Sequence, residues 1–386
     1  MTARRLLSRL HSWIGAVVAL FLVAVSLSGA ALAFDAELFG RQYPFLHTPD
    51  PAASRAADPD VGAMLDAARR GYGGAFEPMG LFLPDSRVET PAAMFFGLRP
   101  GGTGLEDTVM IAVDPATSAY RGDFILDDAW GHQLIHFHQE LFAGEIGAWF
   151  VAVLGLLLAA FALTGLYLWW PRHGPLWRKL RAPPLGGRPI GRWYRIHGWV
   201  GVWTAIPVIL FALTGTAVSR PAWFGGLLSK LPHEVPAPLA PAFARACTGA
   251  VTPDQAVAAA RAALPGGRLA TIGFAHDGEP YRLTFKDASP LDRVEGDTVA
   301  FVHATCPDIV RTVAVSGPAG VLGQLAFSLH SGRSFGPVLG DLLVILAGLA
   351  SALLAGSGLY VWVARHFTRR RAARVRRTEW TAQPAE

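Results

Sequence analysis

The sequence predicts a membrane α-helical fold: a four-span bundle built by internal duplication, with two α+β domains on its outer side. Three observations carry this. The 386-residue chain is 52% hydrophobic and only 16% charged, with mean hydropathy +0.33, a balance too apolar for an ordinary soluble protein. Four stretches reach the roughly 20 apolar residues that a bilayer crossing needs. Finally, Leu10–Gly15 reads L-H-S-W-I-G and Ile196–Gly201 reads I-H-G-W-V-G. Each opens an apolar run that closes on a small residue and a glycine, Ser28-Gly29 and Thr214-Gly215, at a constant offset of 186 residues.

In order, residues 1–34 hold a cytoplasmic N-terminus and the first span, and 35–136 a first outer domain. The second span falls in 137–170, a basic link in 171–195 and the third span in 196–218. A second outer domain covers 219–329, the fourth span 330–363 and a basic tail 364–386. Half of the 34 Lys and Arg lie in three acid-free runs, 1–9, 172–195 and 365–377. The positive-inside rule therefore puts both termini and the middle link in the cytoplasm and both large loops outside. This topology also accounts for the pI near 9.5, so the charge does not call for nucleic acid. The expected topology is a membrane crossed four times, with both large loops on the side away from the cytoplasm.

The first span has a rival reading as a signal peptide, with A-L-A at Ala31–Ala33 as the cleavage site. Its length and its recurrence as the third span weigh against cleavage. Two cysteines, Cys247 and Cys306, both fall in the second loop. In an oxidising compartment they read as one disulfide, the alternative being two buried thiols.

The second and fourth spans match as well. His138-Gln-Glu-Leu-Phe-Ala-Gly144 leads to Gly165-Leu-Tyr-Leu-Trp, and His330-Ser-Gly-Arg-Ser-Phe-Gly336 leads to Gly358-Leu-Tyr-Val-Trp. The chain thus reads as two copies of span, outer domain, span, and a repeat interface is a known place for a site. In the second loop Thr252 and Pro265 bracket a helix, and L-A-T-I-G-F and Y-R-L-T-F alternate as strands. The first loop repeats this more weakly, with a helix near Val61–Arg70.

Topology sorts the histidines by depth. His11 and His197 open spans that enter from the cytoplasm, and His138 and His330 open spans that enter from outside. Ionisable residues in a membrane are functional candidates by default. Imidazole is a haem axial ligand and bundle cores hold cofactors between facing helices, so the four histidines read as an inner and an outer haem site. Glycines would make room for a flat macrocycle. Gly15 and Gly201 lie one turn beyond their histidines, while Gly29 and Gly215 share the histidine face about 27 Å further along. At the outer site either His136 or His138 fits; His138 is favoured by its likeness in context to His330. His132 and His136 would then border the substrate surface or hold haem propionates. His173 and His366 read as interfacial residues, and Trp169, Trp170, Trp199, Trp203 and Trp362 as belt or packing residues. His47, His233, His276 and His303 show no pattern.

At these residues the chain resembles the PepSY-associated transmembrane family, which includes inner-membrane reductases for ferric siderophores. The resemblance rests on the H-x-W-x-G spans, H-x-x-L-x-x-G, the L-x-G-L-Y-x-W-x-x-R ends and the outer loops; L-T-G-L-Y-L-W-W-P-R at Leu163–Arg172 is its most specific string. It implies PepSY-like outer domains, two b-type haems and electron flow outward to iron(III) chelates, with a siderophore transport system as a further partner. Some relatives carry a cytoplasmic flavin and nicotinamide domain. The tail here, about 20 residues after the fourth span, is too short to fold alone, so the electron donor is expected to be another molecule, cytoplasmic or a quinol. The reading is therefore a haem-dependent transmembrane ferric-chelate reductase. Its rival is a haem-free accessory subunit that binds a peptide, a chelate or a transporter. A third option is electron transfer to another periplasmic acceptor, such as a redox protein.

Overall fold

The computed structural model describes residues 2–84, 90–171, 175–181, 186–228, 230, 247–276, 278–286, 298–314 and 325–381. Arg172, His173 and His233 lie outside the described residues. The chain forms two compact units: Met1–Ala31 with Phe137–Arg220 and Pro337–Glu386, and Leu32–His136 with Pro221–Gly336.

The first unit is helical. It starts with α1 (Ala3–Ala31). The second unit opens with α2 (Asp35–Gln42), α3 (Pro51–Ala56) and α4 (Val61–Tyr72), then four strands, β1 (Glu77–Phe82), β2 (Ala93–Leu98), β3 (Thr108–Asp114) and β4 (Ala119–Ile125). Next come α5 (Trp130–Glu140), α6 (Gly144–Trp169), the short α7 (Leu176–Leu180) and α8 (Pro189–Ser219). The later part adds α9 (Pro221–Leu228), α10 (Pro253–Ala263), strands β5 (Arg268–Gly273), β6 (Tyr281–Lys286), β7 (Thr298–Val302) and β8 (Val310–Ala314), and finally α11 (Pro337–Thr381).

Among the described residues four helices are long and apolar enough to cross a membrane: α1 with its continuation to Gln42, α6, α8, and α11 as far as Thr368. Their outward side chains are apolar and exposed; Ile146, Ile206 and Val338 are each 81% accessible. Such a surface suits lipid and not water. The chain is a membrane protein. The helices neighbour one another in the ring α1–α11–α8–α6. Small residues let the backbones approach, as is usual between membrane helices. A Cβ at Gly348 of α11 would sit 2.7 Å from the Ser26 carbonyl of α1, and one at Gly155 of α6 would sit 3.1 Å from the Ala212 carbonyl of α8.

Four boundaries differ from the sequence reading. The helices of the first and third spans begin at Ala3 and Pro189, because nothing in the basic flanks breaks them, so His11 and His197 are each the ninth residue of their helix. His138 is not on the second span but on α5, a separate helix. The chain turns at Leu141 and Phe142, both left-handed at φ 52° and 58°, and Gly144 at φ 56°, an unusual conformation for the two bulky residues. His330 likewise ends a helical segment over 325–330 that stops before Gly332 (φ 81°) and Gly336 (φ 80°), and α11 follows.

The second unit corrects the expectation of two separate small sheets. Each loop segment does contribute a helix and a four-stranded antiparallel meander, but the two meanders join edge to edge in one eight-stranded sheet, β4-β3-β2-β1-β5-β6-β7-β8. The seam pairs Gly80 with Gly273, Leu81 with Ile272 and Phe82 with Thr271. Pairing the two open edges satisfies backbone groups that neither half satisfies alone. It also merges the cores: Met64, Leu65 and Ala68 of α4 and Ala256, Val257 and Ala260 of α10 cover one face with Phe95, Ile111, Ile272, Leu283 and Phe285. Strand alternation sends Met94, Met110 and Ala112 to the opposite face, where they pack with Phe39, Leu46 and Phe124. Cys247 and Cys306 form a disulfide, with Cα atoms 5.5 Å apart.

The two helices are locked at their starts. Asp254 Oδ1, in the first turn of α10, accepts from the backbone N–H of Val61 (3.0 Å) and of Gly62 (3.1 Å) at the start of α4. One carboxylate thus caps a helix 193 residues away in sequence. We expect Asp254→Ala to destabilise the sheet unit by about 1–2 kcal/mol, read as a lower thermal midpoint with the disulfide intact; an unchanged midpoint would show the cap contributes nothing.

Candidate functional site

Within the helical unit His11 of α1 and His197 of α8 face each other, with ring centroids 6.4 Å apart and planes at 87°. They border a cavity that also takes in Gly15, Gly165, Gly201, Phe161 and Leu354. Phe161 packs edge-on against His11 at 5.3 Å. Gly15 and Gly201 line the cavity. A Cβ on either would meet only ordinary contacts, Phe161 at 4.0 Å and Leu354 at 3.5 Å, so their absent side chains leave open space.

Each ring is oriented by a hydroxyl on a neighbouring helix. His11 Nδ1 lies 3.0 Å from Thr164 Oγ1 of α6, and His197 Nδ1 lies 3.0 Å from Ser357 Oγ of α11. These hydroxyls have already used their proton. Thr164 donates to the Ala160 carbonyl at 2.8 Å, and Ser357 to the Leu354 carbonyl at 3.2 Å. Back-bonding of this kind is a local habit of Ser and Thr in helices. With the hydroxyl proton turned to its carbonyl, an oxygen lone pair faces the imidazole, an arrangement that favours a proton on Nδ1 and a basic Nε2. A hydrogen-bonded Nδ1–H is the arrangement that fixes the tautomer of a metal-ligating histidine.

His138 repeats the pattern in the same unit. Its Nδ1 lies 3.1 Å from Ser28 Oγ and 3.0 Å from the Val25 carbonyl of α1, and Ser28 donates to that carbonyl at 2.9 Å. The glycine after each hydroxyl lies under the ring. A Cβ would approach the histidine Cε1 to 2.8 Å at Gly29, 3.3 Å at Gly358 and 3.7 Å at Gly165. Gly29 therefore makes room for the His138 imidazole. The sequence showed that Gly29 shares the histidine face, but depth along a helix does not say which group occupies the space. Thr214 of α8, the remaining hydroxyl before a glycine, makes the same back-bonds, to the Leu210 (2.7 Å) and Phe211 (3.3 Å) carbonyls, with Gly215 following. Each span thus carries one hydroxyl–glycine pair. Thr164-Gly165 and Ser357-Gly358 were missed from sequence, although their constant 193-residue offset was a signal.

His330 belongs to the sheet unit, half-buried at the end of its helical segment. In that unit His136 Nε2 lies 2.9 Å from His132 Nε2, so His136 is engaged with a different partner from His138. His366 stacks on Trp362 at 5.4 Å with planes 6° apart, and Trp13 closes on both.

A family model described as the PepSY-associated TM region matches residues 8–365. The chain belongs to that family. The match runs from just before His11 to Arg365 and so includes every paired histidine and every hydroxyl–glycine pair. No curated protein matches the chain.

The histidine pair fits a haem. Two imidazoles that bind one iron from opposite sides, with nitrogen–metal distances near 2 Å, hold their ring centres roughly 6 Å apart. The rings of His11 and His197 have that separation, and the cavity beside them is lined mainly by apolar groups.

Proposed function

We propose that this family member is a di-haem oxidoreductase of the bacterial inner membrane, made of two copies of a span–domain–span unit. It would take electrons from a cytoplasmic or quinol donor and reduce a ferric siderophore or other iron(III) chelate on the periplasmic side, where the sheet unit would lie. His11 and His197 would hold the inner b-type haem, and His138 and His330 the outer one. The observation that carries the reading is the Nδ1–hydroxyl seat shared by His11, His197 and His138. It satisfies and orients one ring nitrogen, as the outer partner of a metal-ligating histidine does.

A haem held by these histidines would supply one-electron transfer. The chain's own residues do the rest. Thr164 and Ser357 hold the inner rings in one rotamer and tautomer, and Ser28 does so for His138. The apolar lining of the cavity around His11 and His197 keeps water away. Reduction to iron(II) weakens the hold of a hard oxygen chelator, which releases the metal.

Purified protein should show b-type haem absorbance with two haems per chain, and the reduced protein should be reoxidised by a ferric siderophore under anaerobic conditions. Well-folded protein without haem would overturn the reading in favour of a haem-free accessory subunit. Two haems without reoxidation by any iron(III) chelate would point to another periplasmic acceptor.

A further inference from the structure

The sheet unit holds a cluster that electron transfer leaves unexplained. Asp127, in the turn before α5, and His132 and His136 on α5 offer ligand atoms that all lie within 4.8 Å of one another. Histidines four residues apart share one face of a helix. Here both turn Nε2 inward, 2.9 Å apart, with ring centroids at 4.4 Å. Gln133 fixes the third ligand: its side-chain amide donates to Asp127 Oδ1 at 3.0 Å and to the Asp127 carbonyl at 2.5 Å. Gln42 holds the helix start, accepting from Trp130 N–H at 2.7 Å and donating to the Asp128 carbonyl at 2.9 Å. The three ligands are thus placed by two glutamines and a helix, on supports that do not depend on a bound ion.

We propose that Asp127, His132 and His136 form a binding site for a divalent first-row transition metal ion. Two imidazoles and one carboxylate are a borderline donor set of the kind that takes zinc or iron(II), leaving further positions open. Oxygen-loving magnesium and calcium would be poorly served by two nitrogens. All three residues are half-buried, so an ion reaches them without unfolding the unit. An unmetallated pair at this distance is a hydrogen bond, with one Nε2 protonated; a metal ion replaces that proton and releases it. Under the function proposed above, the ion this site meets is iron(II) leaving its chelate. The site itself stands without that reading.

Zinc is the practical probe, because it is redox-inert and is counted separately from haem iron. The full chain in detergent should bind one equivalent of Zn(II) by equilibrium dialysis, and zinc-edge X-ray absorption should show mixed nitrogen and oxygen ligation. His132→Gln, His136→Gln and the shape-conserving Asp127→Asn should each weaken that equivalent by tenfold or more. Circular dichroism identifies any variant that misfolds, and Asp127→Asn then decides. No stoichiometric zinc on the wild type, or zinc retained at full affinity by the folded variants, overturns the proposal and leaves a simple histidine–histidine hydrogen bond. Zinc bound by the wild type and its haem content are measured independently, so the two readings fail separately.

Discussion

His197→Ala is expected to lower the haem content from two per chain to one. The imidazole is one of two that flank the cavity, and its partner His11 is held on another helix by Thr164. Removing it leaves iron with one protein ligand at that level, and a singly held haem should be lost on purification or become high-spin. His11→Ala should do the same. The double variant should lose no more than either single one, because the two residues act as a unit. Added imidazole should restore the spectrum in His197→Ala, since the space vacated is that of the missing ring. Pyridine haemochromogen assays and optical spectra read all of this. An unchanged haem content with an unchanged low-spin spectrum in both single variants would sink the assignment of the inner pair.

The inner pair was legible because its signal is local and repeated. H-x-W-x-G recurs at one offset, both spans run in the same direction, and equal depth follows from that alone. The seats of those histidines were not legible in the same way. They lie on α6 and α11, 153 and 160 residues away, and a hydroxyl before a glycine is an ordinary helix-packing feature until something is seen to rest on it. The break between α5 and α6 was hidden for a different reason. The φ angles reverse at Leu141 and Phe142, residues that favour continuing the helix, so neither signals the break.

The sheet shows the same division. Alternation in Y-R-L-T-F, which forms β6, and the N-cap at Thr252 marked local elements in the sequence. Which strand would neighbour which was another matter. The seam consists of three residue pairs between segments almost 200 positions apart, and it depends on Gly80, where a Cβ would lie 2.8 Å from the Ile272 carbonyl. A glycine inside a strand hints at such an approach but does not name the partner.

Gly29→Val is expected to have the second-largest effect, and Ser28→Ala beside it a much smaller one. At Gly29 even a methyl group would sit 2.8 Å from His138 Cε1 and 3.3 Å from its Nδ1, so the imidazole must move. Its movement is costly, because Nδ1 is held by both Ser28 Oγ and the Val25 carbonyl. Overpacking of this kind typically costs about 1–3 kcal/mol, and here the displaced ring is the proposed ligand itself. The outer haem should therefore be lost or turn high-spin in Gly29→Val, with the inner one retained. Ser28→Ala removes only one of two acceptors and leaves the Val25 carbonyl in place, a loss of about 1 kcal/mol. Its haem content should stay at two, with a small shift in the potential of one haem as Nδ1–H loses an acceptor. The order of the two variants is what tests the seat. Were Ser28→Ala to lose the haem while Gly29→Val kept it, His138 would not be resting where the geometry puts it.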